Sequence, residues 1–127
     1  MVSIQVPGVA SYLKLLRTVV AGCVAREGFT LDQIGDVKMA VDEAAGQLLK
    51  QLDGGVDDGC VRLDVGVDAA GVDLAVSGPV VGDQRVIDPA SFSWTILQAL
   101  SDELAVEQDG HRTTVRMRKL RVDQEHA

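Results

Sequence analysis

Between Thr30 and Leu52 the apolar residues Ile34, Val37, Val41, Ala44, Leu48 and Leu52 recur at three- and four-residue steps. That period gathers them on one stripe of an α-helix, for burial against the rest of the domain. Thr30 can cap the first free amides, and Gln33, three residues on, can reach back to the Thr30 amide, so the pattern predicts a fixed helix start. A second row follows the same step: Asp36, Ala40, Glu43 and Gln47. Glu43 and Gln47 stand only about 40° apart around the axis, which puts a carboxylate and a carboxamide on one edge of a core helix.

The flanking segments carry two other periods. Val2 to Val6 alternates apolar and polar residues and is closed by Pro7-Gly8, which predicts a half-buried strand. Val9, Tyr12, Leu13, Leu16, Val19, Val20, Cys23 and Val24 have helical spacing up to Arg26, with Gly28 as the stop. Asp53 to Gly59 reads as a solvated loop, because its oxygen spacing does not match a calcium loop. Val61, Leu63, Val65 and Val67, then Val72, Leu74 and Val76, alternate on either side of a turn at 68–71 and predict a hairpin. A third helix is expected from Asp88 or Ser91, with Phe92, Ile96, Leu97, Ala99, Leu100 and Leu104 on its stripe and Trp94 off it. The closing hairpin pairs Ala105 to Gln108 with Thr113, Val115 and Met117 across an Asp109-Gly110 turn. The order strand, helix, helix, strand, strand, helix, strand, strand suits a two-layer α/β (α+β) sandwich, a mostly antiparallel mixed sheet with three helices on one face. One domain over residues 1–120 and a polar tail over 121–127 are expected.

Composition narrows the function classes. With 127 residues, 46% of them hydrophobic, the chain suffices for one packed core and not for two. Aromatic residues are few, and the net charge of -7 with a pI near 4.6 disfavours direct nucleic-acid binding, which needs positive charge to neutralise phosphates. A basic protein partner suits this charge better. Cys23 and Cys60 are too few for a disulfide framework or a cysteine metal site, and they read as small hydrophobes. No apolar stretch approaches the roughly 20 residues of a membrane span, and the reading is a cytoplasmic protein with no metal site. Two histidines, His111 and His126, give neither a triad nor a zinc site, and the glycines from Gly78 to Gly82 fit no phosphate loop.

Three stretches together with the element order resemble a family. Residues 36–44, DVKMAVDEA, look like the N-box helix of the anti-sigma factors and serine-protein kinases of the histidine-kinase-type ATPase (GHKL) superfamily. Residues 96–104, ILQALSDEL, look like the helix after that family's last glycine box, and the hairpin from Asp109 to Arg118 is similar too. The resemblance implies the histidine-kinase-type ATPase fold. It also implies that Glu43 holds the position of the glutamate that assists attack of a partner's serine on ATP. Gln47 then stands where the family has a magnesium-holding asparagine, one methylene longer.

The other boxes depart from the family. Its Asp-x-Gly-x-Gly motif, which receives the adenine amino group, is matched to Ser77-Gly78-Pro79-Val80-Val81, so that the aspartate is Ser77 and the two glycines are Pro79 and Val81. The glycines of the last box are matched to Ser91 and Ser93, with Trp94 beside them, and Gly82 to Ala90 is short for a nucleotide lid. Such losses remove several contacts of about 1 kcal/mol or more each. The resemblance therefore implies an anti-sigma factor that sequesters an alternative sigma factor and is released by an anti-anti-sigma (STAS-type) protein, with a homodimer as its assembly and no cofactor expected. The alternative is an active serine-protein kinase using MgATP and Glu43. A third is a pocket reused for another small ligand.

Overall fold

In the computed structural model, residues 1–52, 59–79, 88–110 and 112–121 are described. The chain forms β1 (Val2–Pro7), a 3-10 turn (Ala10–Tyr12), α1 (Leu13–Ala25), α2 (Leu31–Leu52), β2 (Cys60–Val67), β3 (Gly71–Pro79), α3 (Phe92–Leu100), β4 (Glu103–Asp109) and β5 (Arg112–Leu120). The five strands make one sheet in the order β1-β2-β3-β5-β4. All four pairings are antiparallel, so the parallel component that a mixed sheet allows is not found among the described strands.

The helices lie on one face because strand alternation makes one face apolar. Val61, Leu63, Val65, Val72, Leu74, Val76, Val115 and Met117 are buried, and they meet Leu16, Val20 and Val24 of α1, Val37, Val41, Ala44 and Leu48 of α2, and Leu97 of α3. Ala40 and Ala45 are buried as well. Small side chains on both flanks let α2 lie between its neighbours at close range. α2 is thus the middle of the helical layer, and its polar edge is held where α3 begins.

The expected cap at Thr30 is present in both directions. Gln33 N–H donates to Thr30 Oγ1 at 3.1 Å, and Thr30 N–H donates to Gln33 Oε1 at 3.1 Å. Gln33 also donates from Nε2 to the Leu120 carbonyl at 2.8 Å, tying the end of β5 to the start of α2. Arg121, counted with the tail in the sequence reading, completes this tie: its guanidinium lies 4.7 Å from the Phe29 ring centre and donates to the carbonyls of Glu27 and Asp68. Such a cation held over an aromatic face adds about 0.5–1 kcal/mol at a partly exposed site.

Three expectations at helix ends change. The first helix opens with the 3-10 turn rather than as α-helix from Val9. α3 ends at Leu100, because Ser101 is extended, and Leu104 belongs to β4. Phe92 is 79% exposed at the first position of α3 and lies off the buried stripe, whereas Trp94 packs at the core margin. The last hairpin is longer than expected: Asp109 pairs with Arg112, and Gly110 takes φ 60°, a left-handed value that glycine adopts without cost. The loop at 53–58, most of the segment 82–90 and the tail from 122 lie outside the described residues.

Candidate functional site

The polar edge of α2 meets the start of α3. Ser91 caps α3, accepting a hydrogen bond from Trp94 N–H at 3.2 Å and donating its own hydroxyl to the Asp88 carbonyl at 2.6 Å. Asp88 serves the turn before the cap, where its Oδ1 accepts from Ala90 N–H at 2.9 Å. With the cap fixed, the next turn places Ser93, 8% exposed, against α2. Its hydroxyl donates to Glu43 Oε1, and Gln47 Nε2 approaches the same oxygen at 3.4 Å. Glu43, Gln47 and Ser93 are therefore one cluster, with Ser91 and Trp94 on the turn that carries Ser93.

Ser77 and Pro79 do not join them. The register aligns Ser77 with Arg62 on β2 and Thr114 on β5, a row on the sheet face turned away from the helices. There the Ser77 hydroxyl accepts from Arg112 Nη2 at 3.0 Å. The period of two that buries Val72, Leu74 and Val76 assigns the helix side to Gly78, whose Cα faces Leu48 of α2. Pro79 shares the row parity of Ser77 and pairs with Arg112. The structure thus places Ser77 and Pro79 on the sheet face opposite Glu43, and Val81 lies outside the described residues.

Residues 6–119 match the Histidine kinase-like ATPase domain. The chain belongs to that family. It is 33% identical over 104 residues to the Anti-sigma-F factor RsbW of Mycobacterium tuberculosis, spanning 81% of this chain and 59% of that protein. It is 33% identical over 63 residues to the Serine-protein kinase RsbW of Listeria monocytogenes, spanning 50% of this chain and 40% of that protein. The chain thus spans less than two thirds of the length of these relatives. The crystal structure of the RsbU and RsbW domains of Rv1364c from Mycobacterium tuberculosis superposes with a TM-score of 0.67 at 15% identity, over 97% of this chain and 34% of that one. This likeness carries the fold alone.

Two features of this histidine kinase-like ATPase domain were not singled out from the sequence. Thr113, fully buried on the helix-facing side of β5 opposite Gly78, has a hydroxyl with no hydrogen-bond partner among the described residues. The signal was available: Thr113 stands in the same alternation as the buried Val115 and Met117. The second is a cleft of about 710 Å³ between the start of α1, α2 and α3, lined by Leu13, Arg17, Met39, Asp42, Glu43 and Ile96 among others. Arg17 Nε spans it to Asp42 Oδ1 at 3.2 Å, which neutralises the acid beside Glu43. Among the described residues no three His, Cys, Asp or Glu side chains are grouped to hold a metal ion, and no helix is long and apolar enough to cross a membrane.

Proposed function

We propose that this chain is an anti-sigma factor. It binds an alternative sigma factor by protein–protein contact, yields it to an anti-anti-sigma (STAS-type) partner, and works without efficient ATP binding or phosphotransfer. The family and the Anti-sigma-F factor RsbW relative support the partner class. One observation carries the loss of kinase chemistry: the Glu43 oxygen that would assist a serine nucleophile already receives Ser93 and Gln47. A carboxylate occupied by two intramolecular donors is a poorer base and leaves less room for a phosphate.

The residues present fit a nucleotide poorly. On the helix side of β3 the position nearest α2 is Gly78, which offers no carboxylate to an adenine amino group. Ser93 occupies the mouth of α3, where a glycine would let a phosphate approach. These side chains offer ATP and magnesium no complete set of contacts. The net charge of -7 suits a basic face on the sigma factor and opposes nucleic acid. The proposed setting is the cytoplasm, with a homodimer as the assembly.

The experiment is capture of bound protein from native extract with the tagged full chain, followed by identification. A sigma factor in the eluate, displaced by the anti-anti-sigma protein, is the expected result. The active serine-protein kinase remains the second reading, favoured by retention of Glu43 and by the orphaned Thr113 hydroxyl. A thermal shift with MgATP separates the two: a clear rise in Tm, together with phosphate transfer to the anti-anti-sigma protein, would replace the proposal with the kinase.

A further inference from the structure

On the sheet face turned away from the helices, the arginines are not equally satisfied. Arg62 Nε donates to both oxygens of Asp64 at 3.0 and 3.2 Å, Arg116 Nε donates to Glu107 at 2.8 Å, and Arg118 Nη1 lies 2.7 Å from Asp73. Arg112 differs. Asp109 stands opposite it on β4, where a cross-strand ion pair could form, yet Arg112 pairs with no acid among the described residues. Its guanidinium reaches instead to β3, where Nη2 donates to the Ser77 hydroxyl at 3.0 Å.

Ser77 is only 5% exposed, and its hydroxyl accepts from Arg112 while its own proton has no acceptor among the described residues. The register sets Arg62, Ser77 and Thr114 side by side on β2, β3 and β5. These three line a hollow of about 310 Å³, and the small residues Gly66 and Ala75 leave room beside them. Asp64 and Asp73 line it too, but both are already satisfied: Asp64 accepts from Ser3 and Arg62, and Asp73 is held by Arg118. What the hollow has left over is donors. The Nη groups of Arg62 and the Thr114 hydroxyl have no partner among the described residues, and Arg112 uses only Nη2. A set of unsatisfied donors around a buried hydroxyl, with one uncompensated positive charge, is complementary to an anion.

The geometry points to an oxyanion site on the open face of the sheet, built by Arg112, Arg62, Ser77 and Thr114, with a phosphate group as its ligand. Phosphate carries about -1.5 to -2 charge at neutral pH and presents three or four oxygens in a tetrahedron, enough to accept from two guanidinium groups and two hydroxyls together. A carboxylate is planar, matches one guanidinium, and would leave the hydroxyls unused. Inorganic phosphate and a small phosphate monoester share the chemistry that this site recognises. The site stands apart from Glu43 and Ser93, which lie on the helix side of the sheet, and it does not depend on the sigma factor.

Heteronuclear NMR titration of the full chain with inorganic phosphate, at an ionic strength held constant with sodium chloride, tests it. Saturable amide shifts confined to residues 61–64, 75–78 and 112–116 are the expected result. Arg112→Gln should weaken phosphate about tenfold and Ser77→Ala by a smaller factor, while Arg26→Gln, at the end of α1, should leave it unchanged. Arg112 is exposed and Ser77→Ala removes a single atom, so both variants keep the fold, checked by circular dichroism. Glycerol phosphate, run alongside, separates the sources: tighter binding than inorganic phosphate names a monoester, and equal or weaker binding names the free ion. Acetate that binds as well as phosphate, shifts that spread over the surface without saturating, or an Arg112→Gln chain that binds like the wild type overturns the site. A Tm rise with MgATP that persists in Arg112→Gln belongs to the helix side of the sheet, so this site and the proposed function fail separately.

Discussion

The Ser93 hydroxyl donates to the same Glu43 oxygen that Gln47 approaches, so the start of α3 is fastened to the polar edge of α2 across 50 residues of sequence. Ser91 makes this possible by capping α3 and fixing the turn that presents Ser93. A hydrogen bond to a charged acceptor is worth about 1.5–3 kcal/mol when buried, and less at the half-buried Glu43.

The Ser93–Glu43 bond should appear as a coupling between the two positions. A double-mutant cycle with Ser93→Ala and Glu43→Ala, read by urea unfolding, is expected to give an interaction energy of about 1 kcal/mol. Strict additivity of the two losses would show that the Ser93 hydroxyl does not occupy the Glu43 carboxylate in solution.

At the other end of α2, Gln33 carries more than its part in the cap. Thr30→Ala removes one capping acceptor and should cost about 1 kcal/mol. Gln33→Ala removes the reciprocal cap bond and also leaves the Leu120 carbonyl without its donor, and should cost about 2 kcal/mol. Chemical denaturation of the two variants side by side gives the order, and a Gln33→Ala milder than Thr30→Ala would contradict the role assigned to the β5 contact.

Much of this fold was legible because its periods are clean. The six-residue stripe of α2, the alternation of β2, β3 and β5 and the Thr30/Gln33 cap each follow from local chemistry, and the element order came with them. What sequence could not supply was the face on which a residue at a strand end lies. The motif puts Ser77 in the pocket, yet a shift of one residue changes the side of the sheet, and pairing with Arg62 and Thr114 turns Ser77 to the face away from the helices. Ser93 and Glu43 were each named, but their contact depends on how α3 docks on α2, which no local pattern encodes. Phe92 has helical spacing and still lies in solvent, because the side of the first turn that packs inward carries Ser93 and Trp94 instead.

The β2–β3 turn should make stability sensitive to acid. Asp68 Oδ1 accepts from Gly71 N–H at 2.9 Å and Ala70 N–H at 2.8 Å, and Arg118 approaches the same carboxylate at 3.2 Å. These backbone donors first, and the guanidinium after them, hold the Asp68 carboxyl below its usual value of 3.8. A folded-state pKa below the unfolded one contributes stability that is present above the unfolded value and lost as pH falls through the folded value. The Tm of the wild type should therefore exceed that of Asp68→Asn at neutral pH, and the gap should close as pH falls below about 4. A gap that does not change with pH would assign the effect to shape rather than charge.

Thr113 offers the opposite kind of test, a substitution expected to stabilise. Its hydroxyl is fully buried beside Gly78, on the alternation that holds Val115 and Met117, and makes no hydrogen bond among the described residues. An unsatisfied buried hydroxyl costs about 1–3 kcal/mol, and valine replaces it with a methyl of nearly the same shape. Thr113→Val should raise unfolding stability by about 1 kcal/mol, seen as a higher urea midpoint with an unchanged slope. If the variant is instead less stable, the hydroxyl has a partner that the apo chain supplies. If it loses a Tm rise that MgATP gives the wild type, the hydroxyl serves a nucleotide, and the kinase reading gains the buried polar contact that Gly78 does not provide.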